Sequence, residues 1–478
     1  MNRDALTEVE YEAGSARAVF DRQRAAWLAE PFLPYQERLD ALLAIETLLI
    51  SHQEEIAAAV CRDFGQRSRQ ETLLLDVFPT VSGLVHARRH LKKWMRPQRR
   101  HTSLLFAGAR NRVIPQPKGV VGIISPWNYP LQLAFSPLTS ALAAGNRCMV
   151  KMAAKARTLC RLMAELVGAV LPRELVAVLP GVPAAEFTSL PFDHLIFTGS
   201  PASGRAVMRA AAEHLTPVTL ELGGKSPTVV ARDFDIALAA DRILYAKLIN
   251  SGQTCVAPDY LFLPEGRVDD FIAAARRLVA ARYPRIESGD YTAITDQRAY
   301  QRLLDTLADA ETKGARIVHP GPQADPVADL RKIPPALVLD VTDEMRIMQE
   351  EIFGPLLPIR TYRSLDDVIA DINARPRPLA LYLFTNDKAV RERMIRQTLS
   401  GGVGINDCAV HVAQHDLPFG GVGHSGMGQY HADEGFLEFS KLRPVFIQAP
   451  RTAVGLMQPP YGPTFERVLA WLMRLRHL

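Results

Sequence analysis

Cys255 lies in Asn250-Ser251-Gly252-Gln253-Thr254-Cys255, a small, polar stretch built around a glycine. A free cysteine is usually a buried hydrophobe in an apolar run, so this setting singles the thiol out. Thirty-four residues earlier, Glu221 opens Glu221-Leu222-Gly223-Gly224-Lys225-Ser226-Pro227. A thiol on a tight turn and a carboxylate beside a Gly-Gly turn suit covalent catalysis with a separate base.

Other motifs carry chemistry of their own. In Ser125-Pro126-Trp127-Asn128-Tyr129-Pro130, Asn128 follows an apolar run of strand length. Ligands of open α/β sheets bind beyond the carboxyl ends of strands. Asn128 either offers its amide N–H to a developing oxyanion or satisfies its own turn. Phe197-Thr198-Gly199-Ser200-Pro201-Ala202-Ser203-Gly204 leaves a strand and opens a helix, where backbone amides favour an anion such as a pyrophosphate. It is not the Gly-x-Gly-x-x-Gly fingerprint, and a plain turn is the competing reading. Glu350-Glu351-Ile352-Phe353-Gly354-Pro355 reads in isolation as a helix end and turn. The run from Pro418 to Gly428 is dense in glycine, as where backbone passes close to something. His411 and His415 precede it at a metal-ligand spacing, but nearby glycines and a missing acidic partner favour ordinary loop residues, and no metal site is expected.

The elements that would hold these residues alternate. Gly119–Ile124, Arg147–Met152, Val176–Leu179, His194–Thr198 and Val218–Leu222 read as strands, with helices over 156–170 and 202–213. Strand–helix alternation means βαβ units and a doubly wound parallel sheet. A second alternation begins near Ser226, with helices over 236–248, 268–281 and 300–310 and strands over 378–384 and 402–406; the chain is expected to leave it near Asp407. Residues 34–62 read as one long amphipathic helix, and 92–112 as a basic, irregular, solvated connector.

A chain of 478 residues needs more than one core. With 48% hydrophobic and 22% charged residues it is ordinary globular material, and a net charge of +5 implies no nucleic-acid partner. Five scattered cysteines form no C-x-x-C pair, which fits a reducing cytoplasm. The first ten residues lack the apolar core of a signal peptide, and no run of about 18 apolar residues suggests a spanning helix.

In order along the chain, Pro126-Trp127-Asn128, Lys151, Phe197-Thr198-Gly199-Ser200, Glu221-Leu222-Gly223-Gly224-Lys225, Gly252-Gln253-Thr254-Cys255, Glu351-Ile352-Phe353-Gly354-Pro355 and Pro418-Phe419-Gly420-Gly421 resemble the aldehyde dehydrogenase superfamily. The likeness runs from about Pro34 to Pro450. Trp127-Asn128-Tyr129-Pro130, His411 and Gln458-Pro459-Pro460-Tyr461-Gly462 are similar to its class 3-like branch. Asp63-Phe64-Gly65-Gln66-Arg67-Ser68 and Asn406-Asp407-Cys408 look most like the coniferyl aldehyde dehydrogenases within it.

The resemblance implies an α/β fold with three parts. A Rossmann-like cofactor domain would take 1–98 and 116–225, and a catalytic domain 226–406. Bridging, oligomerising segments would take 99–115 and 430–450, ahead of a tail helix within 451–478. It implies NAD or NADP as cofactor, a homodimer, and oxidation of an aldehyde to its acid, an aromatic one such as coniferyl aldehyde or another bulky apolar one. Cys255 would attack the aldehyde, Asn128 and the Cys255 amide would hold the oxyanion, and Glu221 would activate water against the thioester. Gly199, Ser200 and Gly204 would face the pyrophosphate, Lys151 and Glu351 the riboses, and Phe353 the nicotinamide, with Ile124, Ser125, Trp127, Leu222 and Gly223 completing the cofactor site. Tyr129 and the surroundings of Asn250 and Cys408 would line the substrate path. Many NAD-using members carry Glu three residues after the lysine; here Ala154 stands there, with Lys155 and Arg157 beside it. Nothing then repels a 2′-phosphate, so NADP is expected to be accepted.

The tail from Phe465 to Leu478 reads as an amphipathic helix with Phe465, Val468, Leu469, Leu472 and Leu475 on one stripe and Arg467, Arg474 and Arg476 around it. It is expected to pack on the body or across a dimer interface. A weaker alternative is contact with a membrane surface by an enzyme of long-chain apolar aldehydes.

Overall fold

The structure, a computed structural model, describes residues 15–103 and 106–474. The acidic N-terminal stretch, Leu475 and Arg476 lie outside the described residues.

Sixteen strands are described, in three sheets. In chain order β1 (Gln98–Arg100) and β2 (Arg110–Pro117) precede β3 (Val120–Ser125), β4 (Arg147–Met152), β5 (Val176–Val178), β6 (His194–Gly199) and β7 (Val218–Leu222). Then come β8 (Pro227–Val230), β9 (Tyr260–Pro264), β10 (Arg316–Val318), β11 (Ala336–Leu339), β12 (Leu356–Tyr362), β13 (Ala380–Phe384) and β14 (Gly402–Ile405). β15 (Gly426–Met427) and β16 (Ser440–Ile447) close the series.

The first sheet has the order β15-β7-β6-β3-β4-β5. Its five central and outer strands β7 to β5 run parallel, and β15 joins antiparallel. β3 and β4 are buried at every position, as expected of strands covered by helices on both faces. The register sets Ile124 beside both Lys151 and Phe197, and Gly199 beside Leu222. The carboxyl ends of four neighbouring strands therefore open on one edge. The second sheet, β10-β11-β12-β9-β8-β13-β14, is parallel except for β10. Val120, Ile124 and Leu222 belong to one buried cluster, while Val121 and Ile123, on the other face of β3, join the large core with the helices Tyr35–Ser51 and Phe78–Trp94.

Several expected boundaries move. The single helix over 34–62 is two, Tyr35–Ser51 and Gln53–Phe64, broken at His52 (φ −112°, ψ 20°), in the polar run Ser51-His52-Gln53. The basic connector is not irregular. It holds the end of the helix reaching Trp94, then β1 and β2, which pair with each other, and β2 pairs on its other side with β16 over eight positions. That pairing is made with a segment more than 300 residues away in the sequence, out of reach of a local pattern. The return to the first sheet comes at Gly426, where β15 lies against Glu221, rather than near Asp407. The tail forms the helix Pro463–Arg474, but none of its residues is buried. It does not pack into the body of its own chain; Trp471 and Met473 are exposed.

Candidate active site

Cys255 leaves an unusual turn. The helix Ile236–Leu248 runs into a short 3₁₀ segment, Ile249–Gly252, where Asn250 (φ 50°), Ser251 (φ 50°) and Gly252 (φ 75°) are all left-handed. Residues with side chains resist that conformation, so the surroundings must enforce it. The Glu71 carboxylate accepts the Asn250 N–H at 3.0 Å, and Ser251 Oγ donates to Thr292 O. Gln253 is the keystone. Its Nε2 donates to Asn250 O and Ala293 O, both at 3.0 Å, and its Oε1 accepts from Thr295 N at 2.9 Å. Only glycine fits at 252, because a Cβ there would lie 2.3 Å from Gly354 O.

The same turn receives Asn128. Its side-chain Nδ2 donates to Gln253 O at 3.1 Å, and the Asn250 amide donates to that oxygen and to Asn128 O, also at 3.1 Å. Asn128 is thus held two residues from the thiol with its amide facing the Cys255 turn. The backbone amides of Cys255 and Val256 lie beside the sulfur. They favour the thiolate, but burial, with the charges of Glu351 and Glu221, pushes the thiol up to about 12. The resting group is the thiol, and its proton must be taken within the site.

Glu221 sits on β7, 2% exposed, with neither carboxylate oxygen bonded to protein. Burial, reinforced by Glu438, raises its pKa well above the usual range. A desolvated carboxylate with spare lone pairs is suited to accept a proton from water. Lys225, three residues beyond β7, ties the site together: Nζ meets Asp259 Oδ2 at 2.5 Å, Ile347 O at 2.7 Å and Glu350 O at 3.0 Å, while Asp259 Oδ1 accepts Ile352 N at 3.0 Å. Glu351 consequently lies over the Gly-Gly turn, bonded to Gly224 N at 3.1 Å.

The remaining expected cofactor residues gather on the open strand edge. Ser200 caps the helix Pro201–Ala212, immediately after Gly199. Gly204 is buried in that helix against Leu222. Lys151 is buried with its ammonium making one long contact, 3.4 Å to Met152 O, and the buried Ser125 hydroxyl is unbonded. Trp127 meets Phe353 edge-on with ring centres 5.6 Å apart, and Lys155 lies 5.1 Å above it. A helix start, an underused buried ammonium, a free hydroxyl and an aromatic wall fit a dinucleotide.

Some expectations change in detail. Lys155 is ion-paired with Asp296, whereas Arg157 is exposed with no ion pair among the described residues. Tyr129 is buried with its hydroxyl on Thr254 Oγ1 at 2.6 Å. Asn250 and Cys408 are 0% and 1% exposed and serve the scaffold. His411 packs edge-on against Tyr382, while His415 packs with His86 and His431, so the two do not converge. Among the described residues no group of three or more His, Cys, Asp or Glu could hold a metal ion. Glu71, Asp76 and the structural use of Gln253 had no sequence signal; Arg67 sat inside a noticed motif without a role.

The sequence pattern of the aldehyde dehydrogenase family matches residues 5–445. The chain belongs to that family. It is an aldehyde dehydrogenase using NAD(P), with the family's fold. It is 47% identical to a "Probable coniferyl aldehyde dehydrogenase" of Pseudomonas aeruginosa over 97% of both chains. It is 46% identical to a "Coniferyl aldehyde dehydrogenase" of a Pseudomonas species over 97% of this chain and 96% of the other. A substrate-bound AldH of Staphylococcus aureus superposes with a TM-score of 0.90 at 36% identity, covering 95% of this chain and 99% of that one. A Mycobacterium tuberculosis aldehyde dehydrogenase complexed with NAD+ gives 0.82 at 30% identity, covering 91% and 90%.

Proposed function

We propose that this enzyme oxidises hydroxycinnamyl-type aromatic aldehydes, coniferyl aldehyde among them, to the acids, with Cys255 as nucleophile. The observation that carries the mechanism is the shared anchoring of Asn128 and the Cys255 turn on one carbonyl, Gln253 O, beside a buried carboxylate with no protein partner at Glu221. The substrate class rests on the two Pseudomonas relatives, whose names specify coniferyl aldehyde. A long-chain, membrane-associated reading rests on the tail helix alone and is not favoured.

Cys255 Sγ bonds to the aldehyde carbon as its proton passes to a water in the site and on to solvent, and the carbonyl electron pair moves to an oxyanion held by the Asn128 amide and the Cys255 N–H. Removing one such donor commonly costs about 10²–10³ in rate. Gly199, Ser200, Lys151, Glu351, Trp127 and Phe353 would hold the nicotinamide cofactor, with Ile124, Ser125, Gly204, Leu222 and Gly223 shaping its bed. When bound, that cofactor would supply the hydride acceptor by which a thiohemiacetal is oxidised to a thioester. Glu221 then takes a proton from water as the oxygen attacks the thioester carbon, and Cys255 departs with the acid released.

In this reading β3 to β7 form the cofactor domain and β8 to β14 the catalytic domain. The β1-β2-β16 sheet oligomerises the chain as a cytoplasmic homodimer. No helix among the described residues is long and apolar enough to cross a membrane. A screen of benzaldehydes, cinnamaldehydes and aliphatic aldehydes, followed by NAD(P)H absorbance with each cofactor, tests the assignment. Highest kcat/KM on cinnamaldehydes, with NADP accepted, is the expected result. Preference for long aliphatic aldehydes would refute the substrate class, and an NAD preference above about 100-fold, or ~2.7 kcal/mol, would refute the role given to Ala154.

A further inference from the structure

One buried ion pair touches the site from behind and has no part in the chemistry described. Arg67 is 2% exposed, and Asp76 is 0% exposed. The pair, Nη2 to Oδ2 at 3.0 Å, lies wholly inside the protein. Charges are not buried cheaply, and replacing such a pair by apolar groups is often neutral or stabilising. A fold that keeps one invites the question of what it holds.

It holds both ends of the turn that carries Asn128. Arg67 Nη1 donates to Asn128 O at 2.5 Å. Asp76 Oδ1 accepts the N–H of Gln132 at 3.1 Å, the first residue of the helix Gln132–Ala143, where a carboxylate also meets the positive end of the helix dipole. The guanidinium is itself clamped between two rings, 4.9 Å from the centre of Phe64 and 5.0 Å from that of Tyr129. Asp76 projects from a π-helical turn, Leu73–Val77, between the helices Arg69–Thr72 and Phe78–Trp94. Such turns re-aim a side chain, and they gather at functional sites. From the same segment, Glu71 holds Asn250 N on the opposite side. One stretch, 67–76, therefore grips both loops that meet at the thiol.

We infer that Arg67, fixed by Asp76, is a positioning residue: it sets the Asn128 main chain so that the Asn128 amide stands ready at the oxyanion. The inference rests on the reading of Asn128 as an oxyanion donor. Lysine cannot replace Arg67 fully, because a single ammonium lacks the planar fork that serves Asp76 and the Asn128 carbonyl together.

A double-mutant cycle decides it: R67M and R67K, each alone and combined with N128A, assayed in the full-length enzyme with cinnamaldehyde. R67M is expected to lower kcat/KM for the aldehyde about tenfold or more, and R67K about threefold or more. KM for the nicotinamide cofactor and the rate of Cys255 alkylation by iodoacetamide should stay within about twofold. In the N128A background both substitutions should change kcat/KM by less than about twofold, since the group they position is gone. If R67M does not fold, R67K is read in the same cycle. Losses equally large with and without Asn128, or a folded variant within twofold of wild type, would overturn the inference. An N128A enzyme with undiminished kcat/KM would instead overturn the assignment of Asn128 itself.

Discussion

At the scale of single residues, the site stores its reactivity in groups that the fold makes uncomfortable. Glu221 is desolvated and unbonded, and its raised pKa is a statement about stability as well as catalysis. A carboxylate that holds its proton more tightly folded than unfolded favours the native state at low pH. Stability is lost as pH climbs from the ordinary carboxylate value through the raised folded one. E221Q removes that loss. Its melting temperature relative to wild type should rise as pH climbs above the ordinary carboxylate range; a difference independent of pH would show that Glu221 is not buried as a charge. Cys255 stood out in the sequence because a thiol in a small, polar stretch is unusual, whereas Glu221 and Asn128 drew their proposed roles from the order of motifs along the chain. Arg67 and Asp76 did neither, since nothing local distinguishes a buried charge from a solvated one until its partner is known.

Among elements, the decisive one is the turn Ile249–Gly252 and what surrounds it. Asn250 and Ser251, both left-handed, cost backbone strain that the hydrogen bonds of Gln253, Glu71 and the 292–295 segment offset. G252A adds a Cβ against Gly354 O at a positive φ. It should reduce stability by about 2 kcal/mol or more and kcat/KM at least tenfold, measured by thermal denaturation and steady-state assay. Wild-type behaviour would mean that the turn tolerates another path. The strands and helices about this turn were readable from periodicity, and the helix Ile236–Leu248 matches its expected bounds. The turn's handedness was not, because Asn250 and Ser251 adopt it under tertiary hydrogen bonds rather than by propensity. Strand β2 escaped for the same reason, since its long partner β16 lies far along the chain.

For the whole molecule, two α/β sheets meet around the thiol and a third, β1-β2-β16, stands apart at the surface. β16 is an edge strand of that sheet, with Leu442, Phe446 and Ile447 between 38% and 50% exposed. An edge with apolar side chains is a surface for a second chain. The homodimer expected of this architecture would bury it, and F446D should shift the molecule from dimer to monomer in analytical ultracentrifugation. A wild-type monomer, or an F446D dimer of unchanged affinity, would place the interface elsewhere. The central claim concerns the division of labour between Cys255 and Glu221, and one measurement reaches it most directly. E221Q, mixed rapidly with a cinnamaldehyde and the oxidised cofactor, should give a burst of about one reduced cofactor per site and then stall. Mass spectrometry of the quenched protein should find the acyl group on the Cys255 peptide. Undiminished steady turnover by E221Q, or a burst with no acyl adduct on Cys255, would contradict the mechanism.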